Sequence, residues 1–461
     1  MKGINPYSIY RSPIGGSDKS GQNWNMIASA GEFFLGQVFG KQDYAFVDNS
    51  LALQGRHFKG IQGVYAEGPV TYDIKPRVFW LDALLNGYSG QYAEKLMLLL
   101  KRGAITSLMI QSPDGSLVPG GRSGNHAWGD SLQCALFEMM SSIYHKEGNS
   151  VLEQKYSSAA SLALSSVSRY IQPSGDLYTV KNRSDVSQRH GFESYTSCSH
   201  YNLLAAAMLS TAYLYSEKNV EQTPLISPPA LSGTHVIDLS KELGRIIATY
   251  NGTQVVFDVG RNHKQNPTGI IRALSACSDY GLYDGTLENA SYVQPGNTLS
   301  SSLCIGYEDS KGKVNYLSQL SDSKFQAVKL LTKDVSKELL KLEIQYITVS
   351  GIEFIEIVEI KHSSISIRYR SNKDSLKLHL QAPIICSDGF NIINVENIGK
   401  NKIASGRVGI DYYTLEFIGC NSLVENPSVV SHRSGYASIF ESDVIDSDNV
   451  GFEIEFKGVN S

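Results

Sequence analysis

The first half of the chain carries apolar side chains at helical spacing. Between residues 21 and 218 they recur at three- and four-residue steps, the pattern of helices with one buried face. This pattern predicts helices at about 24–38, 44–58, 75–85, 91–102, 129–145, 151–171 and 202–217, with Gly103 ending the fourth. Several of these helices are small or apolar on most faces. We therefore predict an (α/α) toroid, or an incomplete barrel of stacked helical hairpins.

The second half carries a different pattern. Residues 223–235 are rich in Pro and Ser and predict a linker. Beyond them, β-branched and alternating segments predict strands near 245–250, 254–258, 340–349, 352–361, 364–369, 376–381, 412–418 and 452–456. Many short strands favour an antiparallel β-sandwich. The predicted fold class is thus α+β and multidomain, with a toroid-like catalytic domain at 1–222 and a sandwich at 236–461.

A glycine-rich stretch, residues 112–128, leads directly into the fifth predicted helix. Glycine permits positive φ and the close approach of a ligand. The stretch also carries polar and aromatic side chains that are costly on such a loop unless something binds there: Arg122, Asn125, His126 and Trp128. His126 and Asp130 lie one turn apart at a helix N-terminus, which favours anions. We therefore predict a binding site on this stretch.

A second polar stretch, residues 176–202, leads into the last predicted helix. It is rich in basic, aromatic and histidine side chains: Lys181, Arg183, Arg189, His190, Glu193, Tyr195, His200 and Tyr201. Each has an ordinary structural explanation when taken alone. Asn125 of the first stretch is a natural N-cap, which leaves His126 as a first-turn surface residue. Two such stretches, each entering a helix of small residues, favour one shared site.

Composition narrows the function classes. A formal net charge of −4 provides no global positive field for nucleic acid. The 26 tyrosines and 16 phenylalanines suit a surface on which sugar rings stack, and equally suit a large β-rich fold. The six cysteines have no metal-ligand or paired spacing.

The sequence gives a conditional prediction of location. No stretch is long enough to span a membrane, and Met1 to Tyr7 lack the apolar run of a signal peptide. This predicts a cytoplasmic protein, or a secreted or periplasmic one if the N-terminus of a longer precursor has been removed.

Helical hairpins followed by a β-sandwich resemble the polysaccharide lyases of the heparinase II/III, alginate lyase and chondroitin lyase type. The resemblance implies cleavage of a uronic-acid glycan by β-elimination, with an acidic polysaccharide or oligosaccharide as the partner and no required cofactor. By residue type it implies catalytic roles for Asn125, His126, Tyr195 and Arg122. The implied substrate-binding residues are Trp24, Trp128, Lys181, Arg183, Arg189, His190, Glu193, His200 and Tyr201.

The chemistry suits these residues. The C5 proton of a uronate is acidic enough to remove only when its carboxylate is neutralised, which Asn125 with Arg122 or Arg189 would do. His126 suits the base because imidazole titrates near neutral pH. Tyr195 suits either the base or the acid that protonates the leaving oxygen.

Two other functions compete with the lyase. A glycoside hydrolase needs two carboxylates, for which Asp130 and Glu193 are candidates and Asp73 a reserve. A glycan-binding protein without catalysis is the other alternative. A metal site from His190, Glu193 and His200 is conceivable, but no metal-binding motif supports a divalent ion. The glycan, the endo or exo mode and the oligomeric state stay open.

Overall fold

The computed structural model describes residues 23–42, 44–67, 70–216, 226–260, 266–282, 297–298, 301–398, 403–408, 411–427 and 429–458. These residues form an α+β protein. Helices fill the first half of the described chain, and strands fill the second half.

Seven helices lie where the pattern predicts them. They are α1 Asn23–Phe39, α2 Tyr44–Gln54, α3 Val70–Leu85, α4 Ala93–Ile110, α5 Ala127–Lys146, α6 Ser150–Ser168 and α7 Cys198–Tyr215, and a single turn follows as α8 Pro229–Ser232. Short 3-10 turns occur at Gly55–His57, Val186–Gln188, Leu317–Gln319, Asp322–Lys324 and Ser447–Asn449. Together, α1–α7 are called the helical region below.

The prediction that Gly103 ends the fourth helix is wrong. Helix α4 continues through Gly103 to Ile110. A Cβ atom at this glycine would lie 1.2 Å from Nη1 of Arg77. Arg77 is buried and pairs with Asp73 at 2.7 Å. Gly103 therefore makes room for the Arg77 guanidinium, which the sequence does not distinguish from a helix end.

Helix α5 is the centre of the helical region. From Ala127 to Tyr144 its residues are buried, with Glu138 the one half-buried exception. It packs on α3, α6 and α7, and aromatic pairs such as Tyr144 and Tyr156 stack between neighbouring helices. Because α5 follows the glycine-rich stretch directly, its position fixes where that stretch ends.

The strands in chain order are β1 Phe58–Lys59, β2 Val64–Tyr65, β3 Thr234–Leu239, β4 Arg245–Tyr250, β5 Thr253–Asp258, β6 Gly269–Ser275, β7 Ser278–Leu282, β8 Asn297–Thr298, β9 Cys304–Glu308, β10 Val314–Tyr316, β11 Phe325–Val335, β12 Leu340–Thr348, β13 Glu353–Ile360, β14 Ser364–Ser371, β15 Leu378–Ser387, β16 Asn394–Ile398, β17 Ile403–Val408, β18 Asp411–Ile418, β19 Val424–Glu425, β20 Val430–His432, β21 Gly435–Asp443 and β22 Val450–Lys457. The eight strands predicted from the sequence are all present among them.

The strands of the second half form three sheets. Sheet I has the order β3-β4-β5-β6-β7, sheet II has β10-β9-β15-β21-β20-β8 with β19 on β21, and sheet III has β11-β12-β13-β14-β22-β18-β17-β16. The described pairings are antiparallel except for β20 with β8, which is parallel. β12 to β14 alternate between buried and half-buried residues along much of their length, as strands with one face on a core do.

Sheet I joins the two halves of the molecule. Its strands β4, β5 and β6 are buried on both faces. Ile247, Val256 and Ile271 belong to the core of the helical region. Their neighbours Ile246 and Val255 face a second core shared with sheets II and III. The alternation of these apolar residues thus makes sheet I a middle layer.

The described part of the predicted linker has regular structure. Its beginning lies outside the described residues, whereas Pro229–Ser232 forms α8 with Ala230 fully buried, and β3 begins at Thr234. The domain boundaries stay a prediction. None of the described helices is long and apolar enough to cross a membrane. All six cysteines are free thiols.

A buried carboxyl in sheet III yields a test of the fold. Glu356 is buried and accepts hydrogen bonds from Tyr346 Oη at 2.6 Å and Tyr369 Oη at 2.7 Å. Burial raises its pKa from 4.5 to about 7. Between pH 4.5 and about 7, the Glu356 carboxyl is ionised in the unfolded chain but keeps its proton in the folded chain. Stability is therefore expected to fall by about 3 kcal/mol as pH rises from 4.5 to above 7.

Urea unfolding of wild type and Glu356→Gln across this pH range checks the prediction. The glutamine amide has the same shape as the glutamate carboxyl but does not ionise. The loss of stability with rising pH should therefore be smaller in the variant. Glu359→Gln is the matched control, because Glu359 lies on the same strand, half-exposed, with Lys341 at 3.0 Å. The same pH dependence in wild type and Glu356→Gln would contradict the prediction.

Candidate active site

The glycine-rich stretch forms a buried loop between α4 and α5. Gly115, Gly120 and Gly121 adopt positive φ, as expected of glycine. Two further residues of the loop also do so, Ser123 at 54° and Asn125 at 64°. A non-glycine residue in this region costs free energy and persists only where its surroundings hold it. These two positions thus identify the part of the loop that is under constraint.

Side chains from the sheets hold this loop in place. Nη1 of Arg433, in the turn between β20 and β21, donates to the carbonyls of Gly121 at 3.0 Å and Gly124 at 3.3 Å. The backbone N–H of Gly121 donates to Asn266 Oδ1 at 3.2 Å. A Cβ at Gly120 would lie 2.3 Å from Nη2 of Arg245 on β4. We call Arg245, Asn266 and Arg433 the loop clamp.

Glu193 of the second stretch completes this arrangement. Its carboxylate accepts from the backbone N–H of Ser123 at 2.8 Å, and Arg433 Nη1 lies 3.6 Å away. Burial favours the neutral acid, but His126 and Arg433 outweigh burial and hold the pKa of Glu193 well below its ordinary value. Glu193 is thus a charged, buried link between both polar stretches and the sheets.

His126 lies beneath the loop rather than at an open surface. The Trp128 Nε1–H donates to His126 Nδ1 at 3.0 Å, and His126 Nε2 lies 3.1 Å from Glu193 Oε2. Because indole nitrogen only donates, Nδ1 carries no proton and Nε2 does. The side chain is 1% exposed. Its lone pair is therefore engaged with Trp128 and does not face solvent.

The Ser123 side chain contacts the hydroxyl groups of two tyrosines. Its hydroxyl lies 3.0 Å from Tyr72 Oη and 3.1 Å from Tyr195 Oη. Tyr201 stacks on Trp128 beside them at 5.1 Å. Burial, followed by the nearby Glu193 charge, raises the pKa of Tyr195 well above its ordinary value. Tyr195 therefore carries its proton throughout the neutral range.

Tyr72 and Tyr195 line a cleft of about 660 Å³ between α1, α3 and α7. Its volume falls in the range of ligand pockets, roughly 300–1,000 Å³. Five residues predicted for the site line it: Trp24, Arg122, Tyr195, His200 and Tyr201. Trp24 is 71% exposed. The cleft thus combines an aromatic rim, hydroxyls and cations.

Two polar residues that α3 contributes to the cleft were missed by the sequence reasoning. Tyr72 and Lys75 lie in the first turns of α3, where the pattern predicted a helix starting only at Lys75. The Lys75 ammonium lies 5.4 Å above the Trp128 ring, and burial lowers its pKa. Their spacing was the signal that could have indicated them. An aromatic and a basic residue at positions i and i+3, such as Tyr72 and Lys75, lie on the same face of a helix.

Arg122 is the second cation of the cleft. Its guanidinium lies 4.9 Å from the Tyr72 ring, and Nη2 is 3.4 Å from Glu67 Oε1. Asn23 Nδ2 in turn donates to Glu67 Oε1 at 2.8 Å. The Arg122 side chain is half-exposed. Lys75 and Arg122 therefore bring two cations to the cleft, with Glu67 beside them and Glu32 among the lining residues.

Three other predicted residues line a separate polar cavity of about 180 Å³ between the helical region and the sheets. They are Asn125, Lys181 and Arg183, and the further lining residues include Asp114, Arg169, Arg272, Asp388 and Ser434. Asn125 Nδ2 donates to Ser434 Oγ at 3.3 Å. Ser123 and Asn125 thus face different spaces on either side of the loop.

The remaining predicted residues make contacts within the protein and do not line the cleft. Trp128 is 1% exposed. His190 Nε2 lies 2.9 Å from the carbonyl of His432, and its ring stacks on Tyr436. Arg189 Nη2 donates to the Thr196 carbonyl at 2.9 Å. The structure therefore brings these residues to the support of the loops and not to the cleft.

The carboxylates considered for hydrolysis do not flank an open space. Asp130 is buried beside Lys181 Nζ at 2.7 Å, and Asp73 pairs with Arg77 at 2.7 Å. With Glu193 also buried, none of the three lines the cleft. Among the described residues, no group of three His, Cys, Asp or Glu side chains could hold a metal ion. His190, Glu193 and His200 therefore do not form the metal site considered above.

Comparison with known proteins supports the architecture. No family model matches the chain, and no curated protein matches its sequence. A xanthan lyase from Paenibacillus matches with a TM-score of 0.54 and 10% identity, over 98% of this chain and 45% of that one. The chain thus spans somewhat less than half of that lyase.

Two further lyase structures match with lower scores. A heparan sulfate lyase from Pedobacter heparinus has a TM-score of 0.37 and 11% identity, over 95% of this chain and 69% of that one. A chondroitin AC lyase from Streptomyces coelicolor A3 has a TM-score of 0.37 and 8% identity, over 95% and 68%. The expected likeness to polysaccharide lyases is thus confirmed as a likeness of fold by the xanthan lyase.

The loop clamp yields a test that needs no substrate. Arg433→Met removes the cation beside the buried Glu193 carboxylate. The free energy of unfolding should therefore fall by about 3–5 kcal/mol. The amides of residues 120–124 should also exchange with deuterium faster than the rest of the core. Arg77→Met is the matched control, since Arg77 is equally buried and ion-paired but contacts no residue of this loop segment in any described interaction. Equal loop protection in the two variants would contradict the clamp.

Proposed function

We propose that the chain is a polysaccharide lyase that cleaves a uronic-acid glycan by β-elimination in the cleft between α1, α3 and α7. One observation carries the proposal: the Lys75 and Arg122 cations share this cleft with the Tyr72 and Tyr195 hydroxyls. The two cations would neutralise the carboxylate of a sugar, and a tyrosine hydroxyl would donate a proton to the leaving oxygen. The fold shared with xanthan lyase supports the same reaction class.

In this proposal, Arg122 and Lys75 neutralise the carboxylate of the substrate. Removal of the C5 proton builds negative charge on the carboxylate, and cations fixed in a partly buried site stabilise that charge. Arg122 suits this role because its guanidinium matches a carboxylate and is held by Glu67. The half-buried Lys75 sits over Trp128, and a bound anion would raise its lowered pKa because it favours the charged ammonium.

Tyr195 is the proposed acid. The raised pKa of its phenol keeps the proton available, and the Ser123 and Tyr72 hydroxyls orient it. In the elimination, the base takes the C5 proton, that electron pair forms the C4–C5 double bond, and the C4–O bond breaks. The Tyr195 proton then passes to the leaving oxygen. Proton and electron pairs balance without water or cofactor.

His200 is the proposed base. It lines the cleft at the start of α7 and is exposed, so its imidazole has access to substrate. Imidazole is the side chain suited to proton abstraction near neutral pH. His126 remains the alternative, but its contacts with Trp128 and Glu193 favour a supporting role for it. Asn125, next to the polar cavity, would support the loop in the same way.

The finer architecture is part of the proposal. We interpret α1–α7 as an incomplete (α/α) toroid with the cleft between its first and last helices, and the three sheets as the β-sandwich of the resembling lyases. In this interpretation residues 1–222 carry the catalytic groups and residues 236–461 supply the loop clamp. The partner is an acidic polysaccharide or oligosaccharide that stacks on Trp24.

The ultraviolet absorbance of a reaction mixture tests the proposal. The protein is incubated with heparan, chondroitin, alginate, pectic and xanthan-type glycans, and the conjugated C4–C5 double bond is followed. A rising trace on at least one glycan is expected. A flat trace with new reducing ends would favour a hydrolase, and binding without new ends would favour a glycan-binding protein; either outcome would overturn the lyase.

Single substitutions test the assigned roles. Tyr195→Phe removes the acid and should lower kcat by about 10²–10⁴-fold, as expected for loss of general acid catalysis. Tyr213→Phe is the matched control. Tyr213 lies on α7, the helix that follows Tyr195, is 63% exposed and does not line the cleft. Equal kcat in the two variants would exclude Tyr195 as the acid.

The alkaline side of the pH profile tests the acid. Activity of the wild type should not fall in the mildly alkaline range, because the raised pKa of Tyr195 keeps the acid protonated. Loss of activity in that range would contradict this role.

One substitution tests the base. His200→Gln removes the imidazole and should lower kcat by about 10²–10⁴-fold, as expected for loss of a general base. His145→Gln is the matched control, because His145 is an exposed histidine outside the cleft. Equal kcat in the two variants would move the base to His126.

A further inference from the structure

Two of the helices that form the cleft start side by side at the glycine-rich loop. Nδ2 of Asn23, the first residue of α1, donates to Glu67 Oε1 at 2.8 Å, and Nη2 of the loop residue Arg122 lies 3.4 Å from the same oxygen. In the first turn of α3, Tyr72 Oη lies 3.0 Å from Ser123 Oγ of the loop. The first turns of α1 and α3 therefore both lie next to this loop.

The third helix of the cleft, α7, also starts beside the loop, and the three helices end together. In the first turn of α7, Tyr201 stacks at 5.1 Å on Trp128, the last residue of the glycine-rich stretch. At the other ends, Gln37 Nε2 of α1 donates at 2.6 Å to the carbonyl of Asn86, which directly follows α3. Asn86 Nδ2 donates at 3.0 Å to the hydroxyl of Tyr215, the last residue of α7. Helices α1, α3 and α7 therefore run in the same direction away from the loop.

The residues that line the cleft change from polar to apolar along two of these helices. On α3, Tyr72 and Lys75 are followed one turn later by Phe79. On α7, His200 and Tyr201 are followed one turn later by Leu204. The cleft is therefore polar near the loop and apolar further along α3 and α7.

Helix α1 supplies the longest apolar wall of the cleft. Beyond its first turn, the lining residues of α1 are apolar or lack a side chain, with Glu32 as the exception: Ile27, Ala28, Gly31, Glu32 and Leu35. At a rise of about 1.5 Å per residue, the wall from Ile27 to Leu35 extends about 12 Å along the helix axis. The apolar part of the cleft is thus long enough for a chain of several carbon atoms.

The aliphatic side chains of this wall favour an apolar ligand over a sugar ring. Sugar rings stack on aromatic side chains, whereas Ile27, Leu35 and Leu204 are aliphatic and offer a sugar hydroxyl no hydrogen-bond partner. A hydroxyl that leaves water without gaining a hydrogen bond loses free energy. An apolar group gains free energy in the same place, roughly in proportion to the surface that it removes from water.

Gly31 leaves open space in the wall. No heavy atom of the described residues lies within 4 Å of a Cβ atom built at Gly31. The residue lies inside α1, where glycine favours the helix less than alanine does. The missing side chain at Gly31 therefore costs helix stability and widens the cleft.

We propose that the apolar part of the cleft binds an acyl or alkyl substituent of the acidic glycan whose carboxylate lies at Lys75 and Arg122. The place of the carboxylate rests on the proposed function. The substrate class is thereby narrowed to uronate glycans that carry an apolar group near the uronate. One end of the cleft recognises the charge, and the wall from Ile27 to Leu35 recognises the apolar group.

Alkyl β-glucuronides are the probe, because each joins one uronate carboxylate to one alkyl chain. The protein is titrated by calorimetry with methyl, butyl and hexyl glucuronide. Each further methylene that enters the apolar part of the cleft should tighten binding about threefold to fourfold. Equal affinity for the three glucuronides would overturn the proposal.

One variant tests the location of the alkyl chain. Gly31→Leu fills the open space, so hexyl glucuronide should bind at least about tenfold more weakly than to wild type, whereas methyl glucuronide should bind equally well. Gly55→Leu is the matched control. A Cβ atom at Gly55 also has no heavy atom of the described chain within 4 Å, and Gly55 does not line the cleft. The same hexyl glucuronide affinity in wild type and Gly31→Leu would overturn the proposal.

A pair of glycans identifies the kind of substituent. A chemically O-acetylated oligosaccharide of alginate is compared with the same oligosaccharide after saponification. A value of kcat/KM at least about tenfold higher for the acetylated form identifies the apolar group as an ester on the sugar chain. Equal kcat/KM together with an affinity that rises along the glucuronide series identifies it as an alkyl group at the end of the glycan.

The glucuronide series also separates this inference from the proposed function. If the ultraviolet trace stays flat with every glycan, the lyase reaction is contradicted. The glucuronide affinities of wild type and Gly31→Leu still decide whether the cleft binds an apolar group beside a carboxylate, because they require no turnover.

Discussion

The contact between Arg433 and the glycine-rich loop is the interaction on which the candidate site depends. One guanidinium from the β20–β21 turn binds two carbonyls of the loop and lies beside Glu193. Glu193 in turn accepts from the N–H of Ser123 and lies beside His126. A short chain of charge-assisted contacts thus runs from the sheets through both polar stretches. Such contacts, once desolvated, are costly to break singly.

This constraint explains how one loop serves two spaces. Ser123 and Asn125 both adopt positive φ, with Gly124 between them. Their side chains have different partners: Ser123 contacts the Tyr72 and Tyr195 hydroxyls, whereas Asn125 contacts Ser434 and lines the polar cavity. Without the clamp, the loop would relax to unstrained backbone, and this division between cleft and cavity would be lost.

The elements of the fold followed from the sequence more readily than the roles of its residues. Periodicity placed α1–α7 and the eight predicted strands because each element buries a regular face. Gly103 was misassigned because its purpose, room for Arg77, is a tertiary contact. Tyr72 and Lys75 were missed because they read as ordinary positions of a helix start. Arg433 was missed because it is more than 200 residues from the loop it holds.

The sequence indicated the two polar stretches as regions but not where each of their residues would lie. Composition pointed to both stretches, yet it did not separate Tyr195 and His200, which line the cleft, from His126 and His190, which are buried. That distinction depends on which side of a loop each side chain takes, and it is set by the clamp and the positive-φ residues. Local sequence carries no signal for it beyond the glycines.

The fate of solvent oxygen during glycan cleavage tests the central claim most directly. Cleavage of a uronate glycan in water enriched in oxygen-18 is followed by mass spectrometry of the products. Elimination in the cleft predicts unsaturated products without incorporated oxygen-18, since no water enters the broken bond. Incorporation of one oxygen-18 atom for each bond cleaved would contradict the account and identify the reaction as hydrolysis.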